Sequence, residues 1–352
     1  MFRTAWYLSK MLLLRWVFAA VGMVLLIGFV DTLSKTDDFA EAAGGTALDY
    51  TILRAPVIFD QIFIFTLAIA ILLTFVSLIR RNELVALQSF GLSPLAQLRI
   101  FAPMIIIICV ISGFIIDQRL PQSVRALNVW GIGDYEGGSI SPDEPLQLND
   151  QSQNMTVSIQ ARVGEDALSG LTFIMRNETG TLRGVSWAEG AVYRDGVWQL
   201  SGTSSTRGID GSDIQLTAWE TGQNPDLIDR LASEPRHLSL RDLKRFEGLR
   251  GSGSRPSSAY RVWRLKRLSL PLTGLAILLL CIPMMQRLGR KDNGTASMVI
   301  ALGISFVFLI MDGIAATLGA KGGLSPLIAS LGLSTGLILV GIYLILQQEL
   351  LD

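Results

Sequence analysis

The stretch VIFDQIFIFTLAIAILLTFVSLI, residues 57–79, decides the fold class of this chain. At roughly 1.5 Å per residue in a helix, it is long enough to cross a hydrocarbon core of about 30 Å. Half of the residues in the chain are hydrophobic and 17% are charged. The sequence therefore predicts a polytopic α-helical membrane protein with six transmembrane helices, the other five at about residues 11–30, 98–116, 268–285, 296–319 and 324–346.

The region between the third and fourth apolar runs has a different character. Its runs alternate apolar and polar residues, as in NMTVSIQARV at 154–163, and turn sequences such as RDG separate them. This pattern predicts an inserted all-β, jelly-roll-like domain at about 137–235. The predicted organisation is helices one to three in 1–117, an extracytoplasmic region in 118–262, and helices four to six in 263–352. Both cysteines lie in predicted spans, so no disulfide is expected in the β domain.

Charge in the short loops predicts the orientation. Arginines and lysines occur before the first span, in the 80–99 loop and in the 287–292 loop, whereas the 31–56 loop is rich in acids. The positive-inside rule then places both termini in the cytosol and the large β region on the opposite side.

Motifs for catalysis are absent from the sequence. It contains no Walker motif, no GxSxG elbow, no HExxH and no paired cysteines for a metal. The single histidine, His237, is expected to lie at a strand end or on the surface. No catalytic residue and no metal ligand is predicted, and no basic patch for nucleic acid is visible.

Two acidic residues fall within or next to apolar runs. Asp312 lies in the fifth predicted span and Asp31 at the end of the first. An acid in a span normally faces a cavity or a partner. The alternative is that Asp312 marks a helix end at the interface and that Asp31 is a boundary residue. If both line one cleft, that cleft opens toward the outer leaflet.

A short amphipathic stretch, RRNELVALQSFGLSP at 80–94, connects the second and third spans. Asn82 can cap a helix, Glu83 opens its first turn, and Gly91 and Pro94 end it. A helix is therefore expected at about 82–91. So short a helix is marginal in water by itself, which indicates that it contacts another surface.

This stretch resembles the R-x-E-L-x-x-x-x-x-x-G-x-S segment of the LptF/LptG permeases, the membrane subunits of the bacterial lipopolysaccharide exporter. The resemblance extends over essentially the whole chain through RLSLPLTGLAILLLCIPM at 267–284 and LGISFVFLIMDGIAATLGAKGGLSPLIASL at 302–331. The segments GGLSP at 322–326 and GFVDTLSK at 28–35 are more similar to LptG than to LptF.

The resemblance implies that residues 83–90 are a coupling helix that docks on a cytosolic ATPase. The residues expected at that contact are Glu83, Leu84, Leu87, Gln88, Phe90 and Gly91. Without the resemblance, Glu83 can instead complement the helix dipole, and the leucines can lie at the bilayer interface.

The resemblance also implies a lipid cleft lined by spans one and five of this chain and of an LptF-like partner. The candidates for that cleft are Asp31, Lys35, Phe306, Phe308, Asp312 and Lys321. One departure concerns Gly28, which occupies the position of a lysine in enteric LptG. Lys35, Arg54 or Lys321 is near enough in sequence to replace that cation.

The implied partners complete the expected function. They are an LptF-like permease subunit, a cytosolic LptB-like ATPase dimer, an LptC/LptA-like periplasmic bridge protein and lipopolysaccharide itself. No cofactor is expected on this chain, because ATP and Mg²⁺ are used by the ATPase. The expected location is the inner membrane of a Gram-negative bacterium. The alternatives are the LptF-like subunit, a membrane-anchored periplasmic sensor or adaptor, and a membrane enzyme acting on lipid.

Overall fold

A computed structural model provides the structure of the protein. It describes residues 2–35, 46–89, 93–131, 140, 145–150, 153–164, 166–177, 179–205, 216–221, 223–248, 255–289 and 295–349. The chain divides into two compact units, one formed by residues 1–124 with 262–352 and the other by residues 125–261. Each unit is described separately below.

The helical unit contains long apolar helices. The helices of the chain are α1 (Phe2–Ser34), α2 (Ala47–Arg80), α3 (Glu83–Ser89), α4 (Pro94–Trp130), α5 (Pro225–Ala232), α6 (Leu240–Glu247), α7 (Ser257–Leu268), α8 (Leu270–Gly289), α9 (Thr295–Ala320) and α10 (Leu333–Glu349). A π-helical turn, Ile328–Gly332, leads directly into α10. Helices α5 and α6 belong to the second unit.

The described helices account for up to six membrane spans. Five are single stretches, Arg3–Ser34, Ala47–Arg80, Pro94–Trp130, Val299–Ala320 and Ile328–Gln347. The sixth is a bent pair in which α7 and α8 meet at 56°. The predicted fold class, a polytopic helical membrane protein with an inserted β domain, is confirmed.

The apolar core of the bundle lies at one side of it. We call the side where α3 connects α2 to α4 the α3 side, and the opposite side, where the chain passes to and from the strands, the β side. The buried cluster contains the α3-side halves of five helices, with Leu12, Phe75, Phe101, Met285 and Ala301 among its members. Toward the β side, a small cluster of Val262, Ala316 and Ala329 is buried.

Small residues permit the closest helix contacts, as is usual between membrane helices. A Cβ on Gly274 of α8 would lie 2.7 Å from the Cys109 sulfur in α4. A Cβ on Gly341 of α10 would lie 2.8 Å from the Leu279 backbone oxygen in α8. At Gly319 of α9, an added Cβ would overlap the Ala329 Cβ. These contacts fix α8, α9 and α10 against their neighbours.

The second unit contains one antiparallel sheet. Its strands are β1 (Leu146–Asp150), β2 (Met155–Arg162), β3 (Ala167–Arg176), β4 (Leu182–Arg194), β5 (Val197–Ser205) and β6 (Ala218–Trp219), in that order across the sheet. Burial alternates along β1 and along most of β2. Asp195 and Gly196 form the two-residue turn between β4 and β5, both with positive φ, as this tight hairpin requires.

The sheet is curled so that its first and last strands approach each other. The Trp219 indole in β6 donates to Asp150 Oδ2 in β1 at 3.2 Å, and the Gln153 amide donates to the Glu220 carbonyl. The Trp198 ring stacks on Trp219 inside the curl. The strand order is that of a meander, so the described sheet lacks the strand crossovers of a true jelly roll.

Two short helices follow the sheet and are tied by charge. Arg230 of α5 donates to Asp242 of α6 and to Asp226 of its own helix, both at 2.8 Å. Burial opposes the charged form of Arg230, but hydrogen bonds to these two carboxylates outweigh it and raise its pKa. The charged Arg230 side chain therefore connects α5 to α6 through Asp242.

The close contact at Gly319 predicts a stability difference between two glycine substitutions. Gly319→Ala should lower the free energy of unfolding in detergent by about 1–3 kcal/mol, because the added methyl overlaps Ala329. Gly336→Ala in α10 is the matched control, since an added Cβ there has nothing within 4 Å. Thermal unfolding of the two purified variants measures the difference. Equal melting temperatures would contradict this packing.

Candidate functional site

A tight turn connects α2 to α3. The Arg81 amide still donates to the Ser77 carbonyl, and Asn82 then adopts a positive φ of 55°, which ends α2. Helix α3 begins at Glu83 as predicted, and the next helix begins at Pro94, where the Ser93 hydroxyl accepts from the Ala96 amide. The short helix is thus held between two helix ends.

The two faces of α3 differ. Leu84 is 5% exposed and packs in the apolar core, so it anchors α3 to this chain's own helices, and its contact with an ATPase stays a prediction. The Glu83 side chain is one-third exposed, and Ser89 is exposed. The side chains of Leu87 and Gln88, and the residues Phe90 and Gly91, lie outside the described residues.

The charge next to α3 is only weakly compensated within the chain. Arg81 Nη1 lies 3.9 Å from Glu83 Oε1, and the Arg81 side chain is largely exposed. An exposed ion pair of this length contributes between zero and about 1 kcal/mol. Glu83 is therefore accessible to a cation from another chain.

Asp31 faces α2, where a cation of that helix balances its charge. Its Oδ2 atom accepts from Arg54 Nε at 3.0 Å and from the Tyr50 hydroxyl at 2.9 Å. Beside it, the hydroxyls of Thr32 and Thr51 lie 2.8 Å apart. The Lys35 ammonium lies 6.0 Å from the centre of the Tyr50 ring, at the edge of cation–π range. This cluster connects α1 to α2 at the β side.

Asp312 has a similar arrangement on α9. Lys266 Nζ lies 2.6 Å from Asp312 Oδ2 and 3.1 Å from its carbonyl oxygen. The same ammonium lies 5.6 Å from the Trp263 ring centre. The next residue along α7, Arg267, lies 3.3 Å from Asp117 of α4. Two consecutive cations thus connect α7 to two different helices.

The burial pattern of α9 separates the predicted cleft residues into two faces. Ala301, Ser305, Phe308 and Ala316 are buried at helical spacing, and Asp312 lies on this inward stripe. Phe306 lies off this stripe: its side chain is 55% exposed, and one edge of its ring meets the Phe65 ring of α2. Phe308 is 5% exposed and packs inside this chain, so it is the less accessible of the two phenylalanines, and its place in a lipid cleft stays a prediction.

The remaining cleft candidate, Lys321, is exposed in the turn after α9. The Gly322 and Gly323 amides donate to carbonyls in the last turn of α9, and Gly322 has the positive φ that such a helix end requires. The structure does not bring Lys321 together with Asp31 through any contact among the described residues. Asp31 and Lys35 thus lie in one cluster and Asp312 in another. Phe306 and Lys321 are exposed, and Phe308 is buried.

Helices α1 and α9 each present a long apolar face that no described part of this chain covers. On α1 it includes Phe18, Leu25, Phe29 and Leu33, and on α9 it includes Phe306, Ile310 and Ile314. Lipid tails or another membrane protein can cover such faces at no cost in polar desolvation. These faces, rather than the acids, are the accessible surface of the two helices.

Sequence reasoning missed the cations of the acid clusters. The sequence suggested Arg54 only as a replacement for the missing lysine at position 28, and it suggested no role for Lys266 and Arg267. The signal was present in WRLKR at 263–267, which places cations directly before an apolar run. A cation at that depth requires an anion within the bundle, and Asp117 and Asp312 are the acids at the matching depth.

Fold and site together define a polytopic membrane subunit. Its membrane helices come before and after an inserted β sheet in the sequence, and a short helix between two of them is anchored in the helical core. Comparison with known families identifies it further. The model of the family described as lipopolysaccharide export system permease LptF/LptG matches residues 6–347. The chain belongs to this family, and it is a permease subunit of the lipopolysaccharide export transporter rather than an enzyme. Comparison with curated proteins gave no match.

The two faces of α9 predict which positions capture substrate. A photo-crosslinking residue at Phe306, or at the exposed Leu33 of α1, should capture lipopolysaccharide in intact cells. Phe308 is the matched control on the same helix, and its buried side chain should give little product. Leu339, exposed on α10, reports contact with bulk lipid. Equal yields at Phe306, Phe308 and Leu339 would contradict a lipid path along α1 and α9.

Proposed function

We propose that this chain is the LptG-like permease subunit and pairs with an LptF-like subunit. The family match over residues 6–347 is the observation that supports a permease subunit, and the exposed apolar faces of α1 and α9 support pairing with a second subunit. A partner subunit placed against these faces completes a cleft between the two chains. Lipopolysaccharide is then extracted from the outer leaflet of the inner membrane through that cleft.

The position of the apolar core supports a cleft that opens on the β side. Packing is dense where α1, α2, α4, α8 and α9 meet on the α3 side. On the β side, α9 contributes to a cluster of Val262, Ala316 and Ala329, while α2 and α4 bury Val57 and Ile116 separately from it. A space for acyl chains costs least where few packed contacts are lost. Lipid therefore enters between helices on the β side, while the α3 side remains closed.

ATP hydrolysis is assigned to a separate LptB-like ATPase dimer, which binds the nucleotide and Mg²⁺ and docks at α3. In this arrangement α3, both termini and the 287–292 loop are cytosolic, and the β unit is periplasmic. Two features support docking at α3: Leu84 fixes the helix to the core, and Glu83 is accessible beside it. A movement of the ATPase surface is then transmitted to α2 and α4, which flank α3.

The β unit is proposed to receive the lipid and pass it to an LptC/LptA-like bridge. Its sheet is curled around an apolar interior that contains Phe173, Trp198 and Trp219. Strands β1 and β6 are the edge strands. An edge strand offers backbone groups for strand addition, which is the contact mode proposed for the bridge.

Assignment to LptG rests on residues 322–326 and 28–35, with one departure. Position 28 faces α2, where a Cβ would lie 3.3 Å from Thr51 Cγ2. The cations nearest to it in sequence are Lys35 and Arg54, and Arg54 pairs with Asp31. Contact with lipid phosphates at this height is therefore assigned to Lys35 or to the partner subunit.

Assembly tests the subunit assignment. The chain should be co-expressed with the ATPase and either an LptF-like or an LptG-like subunit, and the complex purified through the ATPase. A stable complex that releases lipopolysaccharide in an ATP-dependent manner is expected only with the LptF-like subunit. Assembly only with an LptG-like subunit would assign this chain to LptF. Assembly with neither, in the presence of a folded chain, would contradict the proposal.

Charge reversal at Glu83 tests the docking role of α3. Glu83→Lys should weaken ATPase association by about 2–5 kcal/mol if this carboxylate meets a cation in a desolvated groove. Glu83→Gln keeps the shape and one acceptor, so its effect should be smaller. Binding of the purified ATPase to reconstituted permease measures both variants.

The control for this experiment is a charge reversal on the ATPase side. It should restore part of the affinity, because a double-mutant cycle isolates the interaction of the pair. If Glu83 serves only the dipole of α3, the loss stays at about 0.3–1 kcal/mol and the ATPase variant gives no rescue. Wild-type association and export by Glu83→Lys would show that the assigned role is wrong.

A further inference from the structure

We propose that Lys266 is a positioning residue for transport: its ion pair with Asp312 is a releasable clasp that holds the β-side half of α9 in place. Arg267 and Asp117 form the fixed anchor of the same helix. The inference rests on the proposed function, because it assigns a step of the transport cycle to these residues. It concerns the acid in α9 that the sequence offered as a lipid contact.

The first argument is the geometry of the pair. Lys266 Nζ contacts both the carboxylate and the backbone carbonyl of Asp312, at 2.6 and 3.1 Å. An ammonium carries its donors on one flexible side chain, so it can leave one acceptor and find another without a change of backbone. Arg267, by contrast, carries a planar guanidinium whose Nη1 lies 3.3 Å from Asp117 Oδ1, and it is the more buried cation.

The second argument is the difference in exposure between the two cations. The Lys266 side chain is 16% exposed and that of Arg267 is 7% exposed, while their partners Asp312 and Asp117 are 18% and 16% exposed. Separation of a pair costs most when both charges remain away from water. The Lys266 pair is therefore the one that can open, and the Arg267 pair is the one that keeps α7 in register with α4.

The third argument is which contacts hold this half of α9. Ala301 belongs to the large apolar core, on the α3 side. Further along the helix, Ala316 packs with Val262 and Ala329, and Gly319 lies directly against Ala329, so the apolar contacts described near Asp312 involve small side chains. Since the outward face of the same segment carries Phe306 and Ile310, release of the clasp would shift the wall of the lipid path.

The fourth argument is the place of α7 in the chain. The β unit ends at Arg261, and the chain continues in α7 for seven further residues to Leu268 before the 56° bend into α8. Lys266 and Arg267 are in the last turn of this helix. A change in the β unit that pulls on α7 acts directly on the clasp. Loading of the β unit and the position of α9 are thereby connected through covalent chain.

A cysteine pair tests whether the clasp must open. Lys266→Cys and Asp312→Cys should be combined in a chain whose Cys109 and Cys281 are replaced by alanine, and the complete transporter reconstituted in proteoliposomes with lipopolysaccharide. Oxidation to the disulfide should stop lipopolysaccharide release, and a reductant should restore it. Release at the same rate in the oxidised and reduced states would overturn the proposal.

Charge variants test the same clasp without a covalent bond. Lys266→Met and Asp312→Asn should each lower the lipopolysaccharide released per ATP hydrolysed by about fivefold or more, the lower end of coupling between sites in proteins. The exchange Lys266→Asp with Asp312→Lys should restore part of that ratio. Arg261→Met is the matched control, because its partner Glu247 lies 3.7 Å away and Arg261 is half exposed on the same helix.

The readout separates this proposal from the proposed function. If the transporter assembled with the wild-type chain releases no lipopolysaccharide, the proposed function is wrong and the clasp proposal falls with it; the charge variants, made in the wild-type chain, do not depend on the cysteine-free parent. If the wild-type transporter is active and the charge variants keep its ratio of release to hydrolysis, the clasp proposal is wrong. A merely structural role predicts a lower melting temperature with an unchanged ratio, and without rescue by the exchanged pair.

Discussion

An ionised carboxylate within a membrane helix has to find a cation inside the bundle, and this constraint organises the β side of the helical unit. A charge left in a medium of low dielectric constant is expensive, and lipid tails offer it no partner. Asp31, Asp117 and Asp312 each accept from a basic side chain on a different helix. The three pairs connect α1 to α2, α4 to α7 and α7 to α9. On the β side, ion pairs therefore help to hold the helices together, as apolar packing does on the α3 side.

The division between an apolar and an ionic side has a mechanical consequence. Close-packed side chains resist rearrangement because every displaced methylene loses its neighbours. Ion pairs with some access to water separate at lower cost, and the charges can exchange one partner for another. The α3 side, with Phe75, Phe101 and Met285 at its centre, therefore behaves as a rigid base. In the proposed transport cycle, the β side is therefore the part of the bundle that opens for a lipid and closes again.

The sequence predicted the elements well and their partners poorly, for a physical reason. Helices of about 20 apolar residues and alternating strands are local patterns, so the six spans, α3 and the β insertion follow from composition and period. Ion pairs and burial faces depend on residues distant in sequence. Asp117 and Arg267 are separated by 150 positions, so the sequence around one does not indicate that the other is its partner. Phe306 and Phe308 are equivalent in the sequence, and only the stripe formed with Ser305 and Ala316 shows which faces inward.

The burial of Leu84 bears on how the α3 helix could work. If every apolar residue of so short a helix faced an ATPase, nothing would hold it when the ATPase is absent, because isolated helices of this length are marginal. With Leu84 buried in the core, the helix is ordered by its own chain. A docking surface that is already ordered loses little conformational entropy on binding. Its displacement also moves the packed residues of α2 and α4. In the proposed docking, the buried Leu84 would let α3 transmit a movement of the ATPase to the helices on which it packs.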